Sequence, residues 1–216
     1  MIMKQLNTEA LESIFENYDY IFWDYDDTLS PTVEKKGIAY IKIFKEYPQE
    51  LKDFILDHHK KFPGVSRQVK LPIYLKESLK YKDVNFDSKL IDLKRKFSIE
   101  CIQILSVIPI FKNIEKFLKN SKKHNFIITN MPQEEINETI KSKLLKEFFI
   151  QIIGDAIDKA DILKEKLSNI KDKERCVFVG DSKTDYEAAY NCNIDFILKS
   201  SSLNKSLQLI PRIKII

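Results

Sequence analysis

The chain has 216 residues, 31% charged and 44% hydrophobic, a balance that belongs to a folded globular protein and excludes wholesale disorder. Its 36 Lys and Arg exceed its 32 Asp and Glu by only 4 and are scattered, which excludes a massed basic face for nucleic acid. No apolar run approaches the roughly 20 residues needed to cross a bilayer, and residues 1–18 lack the apolar core of a secretory leader, so the expectation is a cytoplasmic chain without a membrane partner. Cys101, Cys176 and Cys192 are far apart and show no metal-ligand spacing, so they read as buried free thiols.

The first clear element is Tyr20-Ile21-Phe22-Trp23, short and rich in strand formers, followed at once by Asp24-Tyr25-Asp26-Asp27-Thr28. Between Ser30 and Ser106 the pattern turns helical, with Ile38, Ile41, Phe44 and Tyr47 spaced three apart and Leu90, Leu93 and Phe97 at i, i+3, i+7. This segment reads as an all-helical insertion hung from the first strand, returning near Ile108 and Pro109. The expected organisation is a core domain of residues 1–29 and 107–216 with an inserted domain of residues 30–106.

From Lys123 onward strand-like and helix-like pieces alternate with short connections, the signature of a parallel α/β sheet. Residues 125–129 are expected as a strand, then a helix from Pro132 to about Lys146, a strand over 148–153 and a helix over 160–167. A strand over 176–179, a helix over 185–191 and a strand over 195–198 complete the series. The run Cys176 to Val179 leads into Gly180-Asp181-Ser182-Lys183-Thr184-Asp185, a second acidic string behind a buried strand. If the strands ending at Trp23 and Val179 are parallel neighbours, their carboxyl ends gather the carboxylates around one crevice. So much buried negative charge requires a cation, which points to a divalent metal and a phosphoryl-transfer site.

Four segments together resemble the haloacid dehalogenase superfamily. The first motif is Asp24, Asp26 and Thr28 after a strand. The second is Thr129 closing Phe126-Ile127-Ile128, the third Lys159 ahead of a helix, and the fourth Gly180, Asp181 and Asp185. The resemblance implies an α/β fold, a Rossmannoid parallel sheet with an inserted helical cap. It also implies a Mg²⁺-dependent phosphatase acting on a small phosphate ester through an aspartyl-phosphate intermediate. Asp24 would be the nucleophile and Asp26 the general acid and base. The metal would bind Asp24, the backbone carbonyl of Asp26, and Asp181, with Asp185 helping directly or through a water. Thr129 and the N–H of Asn130 would hold the phosphoryl oxygens, and Lys159 would neutralise charge, with Lys164 as a competitor for that role.

The chain departs from the family pattern in three places. Ala160 follows Lys159 where Pro is common, Asp27 stands where Gly is usual, and Asn191-Cys192-Asn193 replaces a small Ala-Gly pair. Asp at position 26 points to a phosphatase or a phosphomutase, since dehalogenases and phosphonatases of the superfamily lack it. Gly64-Val65-Ser66-Arg67 resembles a cap loop of β-phosphoglucomutase-like members, which makes Arg67 a candidate substrate contact. A phosphomutase and a non-catalytic interaction protein are the alternatives, and His58 and His59 read as surface or capping residues.

Overall fold

The structure is a computed structural model and describes residues 8–211 and 213–216. The chain divides into two units, one formed by Met1–Pro31 with Pro109–Ile216 and the other by Thr32–Ile108. The divisions fall at Pro31 and Pro109, at proline-flanked turns where the chain cannot continue either a strand or a helix.

The first unit begins with α1 (Thr8–Phe15) and β1 (Tyr20–Trp23). After the second unit it resumes with α6 (Lys112–Asn120), β2 (His124–Ile128), α7 (Gln133–Ser142), β3 (Gln151–Ile153) and α8 (Lys159–Leu167). It ends with β4 (Cys176–Gly180), α9 (Lys183–Asn191), β5 (Asp195–Leu198) and β6 (Lys214–Ile215). The strands form one parallel sheet in the order β3-β2-β1-β4-β5-β6.

Because a strand points successive side chains to opposite faces, the near-continuous apolar runs are buried on both sides. On one face Phe22, Phe126 and Phe178 lie in register with Leu163, Leu167, Ala188 and Ala189 from α8 and α9. On the other, Trp23 packs against Phe15 of α1, with ring centroids 5.4 Å apart, and Phe15 against Phe117 of α6 at 4.9 Å. The Trp23 indole N–H donates to Asn125 Oδ1 at 2.9 Å, which satisfies a buried donor in the middle of that face.

Several boundaries differ from expectation. The helix after Pro132 ends at Ser142 because Leu144 takes a left-handed conformation with φ of 54°, which turns the chain. Residues 146–148 then form a 3₁₀ turn, so strand pairing begins only at Gln151. The edge strand β6 was not foreseen. Two residues carry too little periodicity to read, and it is held by Lys214 Nζ donating to Tyr18 Oη at 2.7 Å and Tyr18 Oη donating to Asp195 Oδ2 at 2.5 Å.

The second unit contains α2 (Val33–Ile43), α3 (Gln49–Lys61), α4 (Arg67–Ser78) and α5 (Phe86–Val107). The three-residue spacing 38, 41, 44, 47 does not mark its buried stripe. Three residues turn an α-helix by about 300°, so the series walks around the surface, and Ile38 is 47% exposed while Val33, Gly37, Tyr40 and Phe44 face inward. Tyr40 stacks on Phe97 of α5 with centroids 4.1 Å apart. His59 is buried rather than at the surface: its Nε2 lies 2.8 Å from Val33 O, and Lys70 Nζ lies 3.0 Å from its Nδ1. Among the described residues no single helix is long and apolar enough to cross a membrane.

Candidate active site

The chain runs outward through β1, β2 and β3, then returns to β4 beside β1, so the order reverses between β1 and β4. In open α/β sheets that reversal opens a crevice at the carboxyl ends of the strands. Asp24 is the first residue beyond β1 and Asp181 the first beyond β4. The Asp24 N–H donates to Val179 O at 2.9 Å, extending the ladder by one residue and fixing where its carboxylate begins.

Asp24, Asp181 and Asp185 are all buried, and each offers a carboxylate oxygen within 4.8 Å of the others. Lys159 Nζ donates to Asp24 Oδ1 and to Asp185 Oδ1, both at 2.6 Å, and is 6% exposed. Lys164 instead projects from α8 and pairs with Asp161 at 3.3 Å. Lys159 is the first residue of α8, whose N-cap is Asp158, accepting from the N–H groups of Ala160 and Asp161. The positive end of a helix disfavours an ammonium, so the two carboxylates hold Lys159 in a place it would otherwise leave.

Asp185 reached this cluster through local structure that sequence inspection missed. It is the third residue of α9 and forms a capping box with Ser182: the Ser182 N–H and Oγ donate to Asp185 Oδ2 at 3.0 and 2.6 Å, and the Asp185 N–H donates back to Ser182 Oγ at 3.4 Å. The Ser-x-x-Asp spacing was the available signal. Gly180 makes room for this turn, since a Cβ there would lie 2.4 Å from Asp185 Cβ.

Thr129 and Asn130 follow β2. The Thr129 Oγ1 accepts from the Met131 N–H at 3.3 Å, which leaves its own hydrogen to be donated. A latch joins this loop to the one leading toward Lys159. Gly154 N–H donates to Gln133 Oε1 at 2.7 Å, Gln133 N–H to Asp155 Oδ2 at 3.0 Å, and Ala156 N–H to Thr129 O at 3.0 Å. Neither Gln133 nor Asp155 carries a recognisable motif. Among the described residues the Asn130 Oδ1 and the fully buried Thr28 Oγ1 find no hydrogen-bond partner.

Asp26 forms an isolated bridge with Ser30 that folds the loop back, and its charge bears on Asp24. Asp27 has φ of 53° and Asn193, at the end of α9, 54°. Both tolerate the left-handed region that Gly usually supplies, which explains two of the departures from the family pattern. Arg67 lies in the second unit as the first residue of α4. It is 8% exposed, its guanidinium 4.6 Å from the Phe97 ring centroid and donating to Ser98 Oγ at 3.1 Å.

Burial pushes the Asp24 carboxyl up to about 7, with Lys159 pulling down and Asp185 and Asp26 adding to the rise. Burial also lifts Asp181 well above the ordinary carboxylate range, helped by Asp24, Asp185 and Asp27. For Lys159 burial works downward, but Asp185 and Asp24 outweigh it and hold the ammonium charged. Three buried carboxylates around one ammonium leave a negative excess, and every donor is a hard oxygen. The cluster therefore fits Mg²⁺ rather than a softer metal.

A parallel sheet with carboxylates at its switch point, one lysine bridging two of them and helices on both faces defines a Rossmann-like α/β domain with an acidic site at the ends of its strands. Over residues 21–199 the chain matches the haloacid dehalogenase-like hydrolase family, and it belongs to that family. It matches no curated protein sequence.

Among solved structures it is similar to a predicted phosphoglycolate phosphatase from Haemophilus somnus, with 16% identity, a TM-score of 0.71 and coverage of 85% of this chain and 86% of that one. It is also similar to CbbY from Rhodobacter sphaeroides, solved as a mutant in complex with xylulose-1,5-bisphosphate, at 13% identity and TM-score 0.71, covering 92% and 93%. The magnesium-bound HAD-hydrolase YfnB from Bacillus subtilis aligns at 15% identity and TM-score 0.69, covering 92% and 94%. At these identities the likeness establishes the fold.

Proposed function

We propose that the protein is a Mg²⁺-dependent phosphatase that hydrolyses a small phosphorylated metabolite, such as a sugar or polyol phosphate, through an aspartyl-phosphate intermediate. The observation that carries this reading is Lys159 donating to both Asp24 and Asp185 beside Asp181 at the β1/β4 switch point. Phosphatase and bisphosphate-bound neighbours of the same fold support the substrate class.

In this reading an Asp24 carboxylate oxygen attacks phosphorus as the bond to the ester oxygen breaks, and Asp26 gives that oxygen its proton. Asp26, now ionised, takes a proton from water, whose oxygen attacks the phosphoenzyme and restores Asp24. Thr129 donates its hydroxyl to a phosphoryl oxygen, and the Asn130 N–H does the same near the start of α7. Lys159 holds the Asp24 carboxylate in place and offsets the phosphate charge. Mg²⁺, held by Asp24, the Asp26 carbonyl and Asp181, with Asp185 alongside, would neutralise charge developing on the phosphoryl oxygens.

The helical unit is the proposed cap that selects the substrate, with Arg67 as its candidate contact. An Arg67→Met variant keeps an aliphatic stem over Phe97, so a raised KM with unchanged thermal stability would assign Arg67 to the substrate.

The deciding experiment is a panel of phosphorylated metabolites with released phosphate as readout, run with Mg²⁺ and with chelator. Mg²⁺-dependent release from at least one sugar or polyol phosphate is expected. Absence of release from the whole panel and from a generic aryl phosphate would sink the phosphatase reading. Isomerised sugar phosphate in place of free phosphate would assign a mutase instead.

A further inference from the structure

The carboxyl edge of the sheet also holds a buried cation that the mechanism above does not use. Lys199 is the first residue beyond β5, its N–H donates to Gly180 O at 2.8 Å, and the residue is 9% exposed. Its ammonium lies 4.4 Å from the Phe111 ring centroid and donates to Ser200 O at 3.4 Å. The Phe111 N–H donates to Leu29 O at 2.9 Å, and the Asp27 N–H donates to Ser30 O at 2.8 Å. The ring beneath the ammonium is thus seated on the loop that carries Asp27.

Asn204 closes the other side. Its Nδ2 donates to Asp181 O at 2.8 Å and to Lys199 O at 2.9 Å, tying the segments after β4 and β5 together. Lys199 is therefore enclosed between the acidic loop after β1 and the turn that carries Asp181. Burying an ammonium there is unfavourable unless opposite charge faces it. Burial does draw the Lys199 pKa below its ordinary value, while Asp27 and Asp181 both favour the charged form.

We infer that Lys199 is the charge-balancing partner of Asp27, a pair that sets the potential at the Asp24–Asp181–Asp185 cluster. Without Lys199, the carboxylate added at position 27 would hold the metal more tightly and repel the incoming phosphate. Without Asp27, the lysine would do the reverse. The inference rests on the Mg²⁺-dependent reading for its consequence, although the pairing of the two residues does not.

Lys199→Met retains the stem over Phe111, and Asp27→Asn retains a residue tolerant of φ near 53°. Calorimetric titration with Mg²⁺, and with inorganic phosphate in excess Mg²⁺, reads the potential directly. Lys199→Met is expected to tighten Mg²⁺ and weaken phosphate by about tenfold, and Asp27→Asn to shift both by a similar factor the other way. The double variant should return to within about twofold of the parent protein on both titrations.

The same four proteins unfolded in EDTA form a double-mutant cycle that needs no metal. Lys199→Met should destabilise the protein less when residue 27 is already Asn. Additive effects in that cycle, or single variants that move Mg²⁺ affinity in the same direction, would overturn the pairing. Failure of the parent protein to bind Mg²⁺ would instead overturn the metal reading, while the cycle in EDTA still decides the pair.

Discussion

Asp24 is held under two opposed demands. As the proposed nucleophile it must be ionised, yet it is buried beside Asp185 and Asp181 with one ammonium to share. The Asp24→Asn variant separates the two. It replaces a charged oxygen by an amide that attacks phosphorus poorly, so turnover should fall by about a thousandfold or more. The same change removes one of three crowded carboxylates, so in EDTA the variant should unfold about 1 to 3 kcal/mol higher than the parent protein. Activity assays and denaturant unfolding on the same preparation check both halves. Parental turnover would remove Asp24 from the nucleophile role. A loss of stability in EDTA would mean that Lys159 needs both of its partners.

Individual elements place the site by close approach. The turn from β4 into α9 brings Asp185 against Gly180 so tightly that any Cβ at 180 meets the aspartate at 2.4 Å. Gly180→Ala should therefore cost about 1 to 3 kcal/mol of stability through overpacking and should push Asp185 away from Lys159. Adding Asp185→Gly removes Cβ, Cγ and Oδ2, the three atoms that the new Cβ meets, so the double variant should recover part of the lost stability without recovering activity. Recovery of both would show that Asp185 serves only as a capping residue. Motif spacing makes Gly180 look like a turn glycine, whereas its φ is not positive and the requirement is steric.

At the scale of the whole molecule, the crowded carboxylates link stability to pH and metal. The folded-state pKa of Asp24 is raised from 3.8 to about 7. Below the unfolded value the carboxyl is protonated in both states and nothing is lost. Between the two values the folded protein binds more protons than the unfolded one, so stability falls as pH rises. In EDTA the protein should therefore be less stable at pH 8 than at pH 5. Saturating Mg²⁺ should reverse that trend, adding about 2.7 kcal/mol at a hundred times its dissociation constant. Melting temperatures across pH with and without Mg²⁺ test this, and equal slopes in the two series would contradict it.

By itself the sequence determined the class of the fold and named Asp24, Asp181 and Asp185, which the fold brings together. Buried parallel strands must be apolar on both faces, and carboxylates directly behind Trp23 and Gly180 leave few other readings. Helical periodicity also pointed to an inserted helical segment, because one helix face must be apolar to form a core, although the series 38, 41, 44, 47 was not its buried stripe. Only the tertiary structure chose Lys159 over Lys164, since both lie near the same helix and only one points at the carboxylates. It alone added β6, too short to show a period, and the latch through Gln133, Gly154 and Asp155, whose bonds join loops distant from each other in sequence. Lys199 was invisible for the same reason. A lysine at a strand end looks like surface until the packing of Phe111 and Asn204 encloses it, because burial belongs to the assembled sheet and not to the residue.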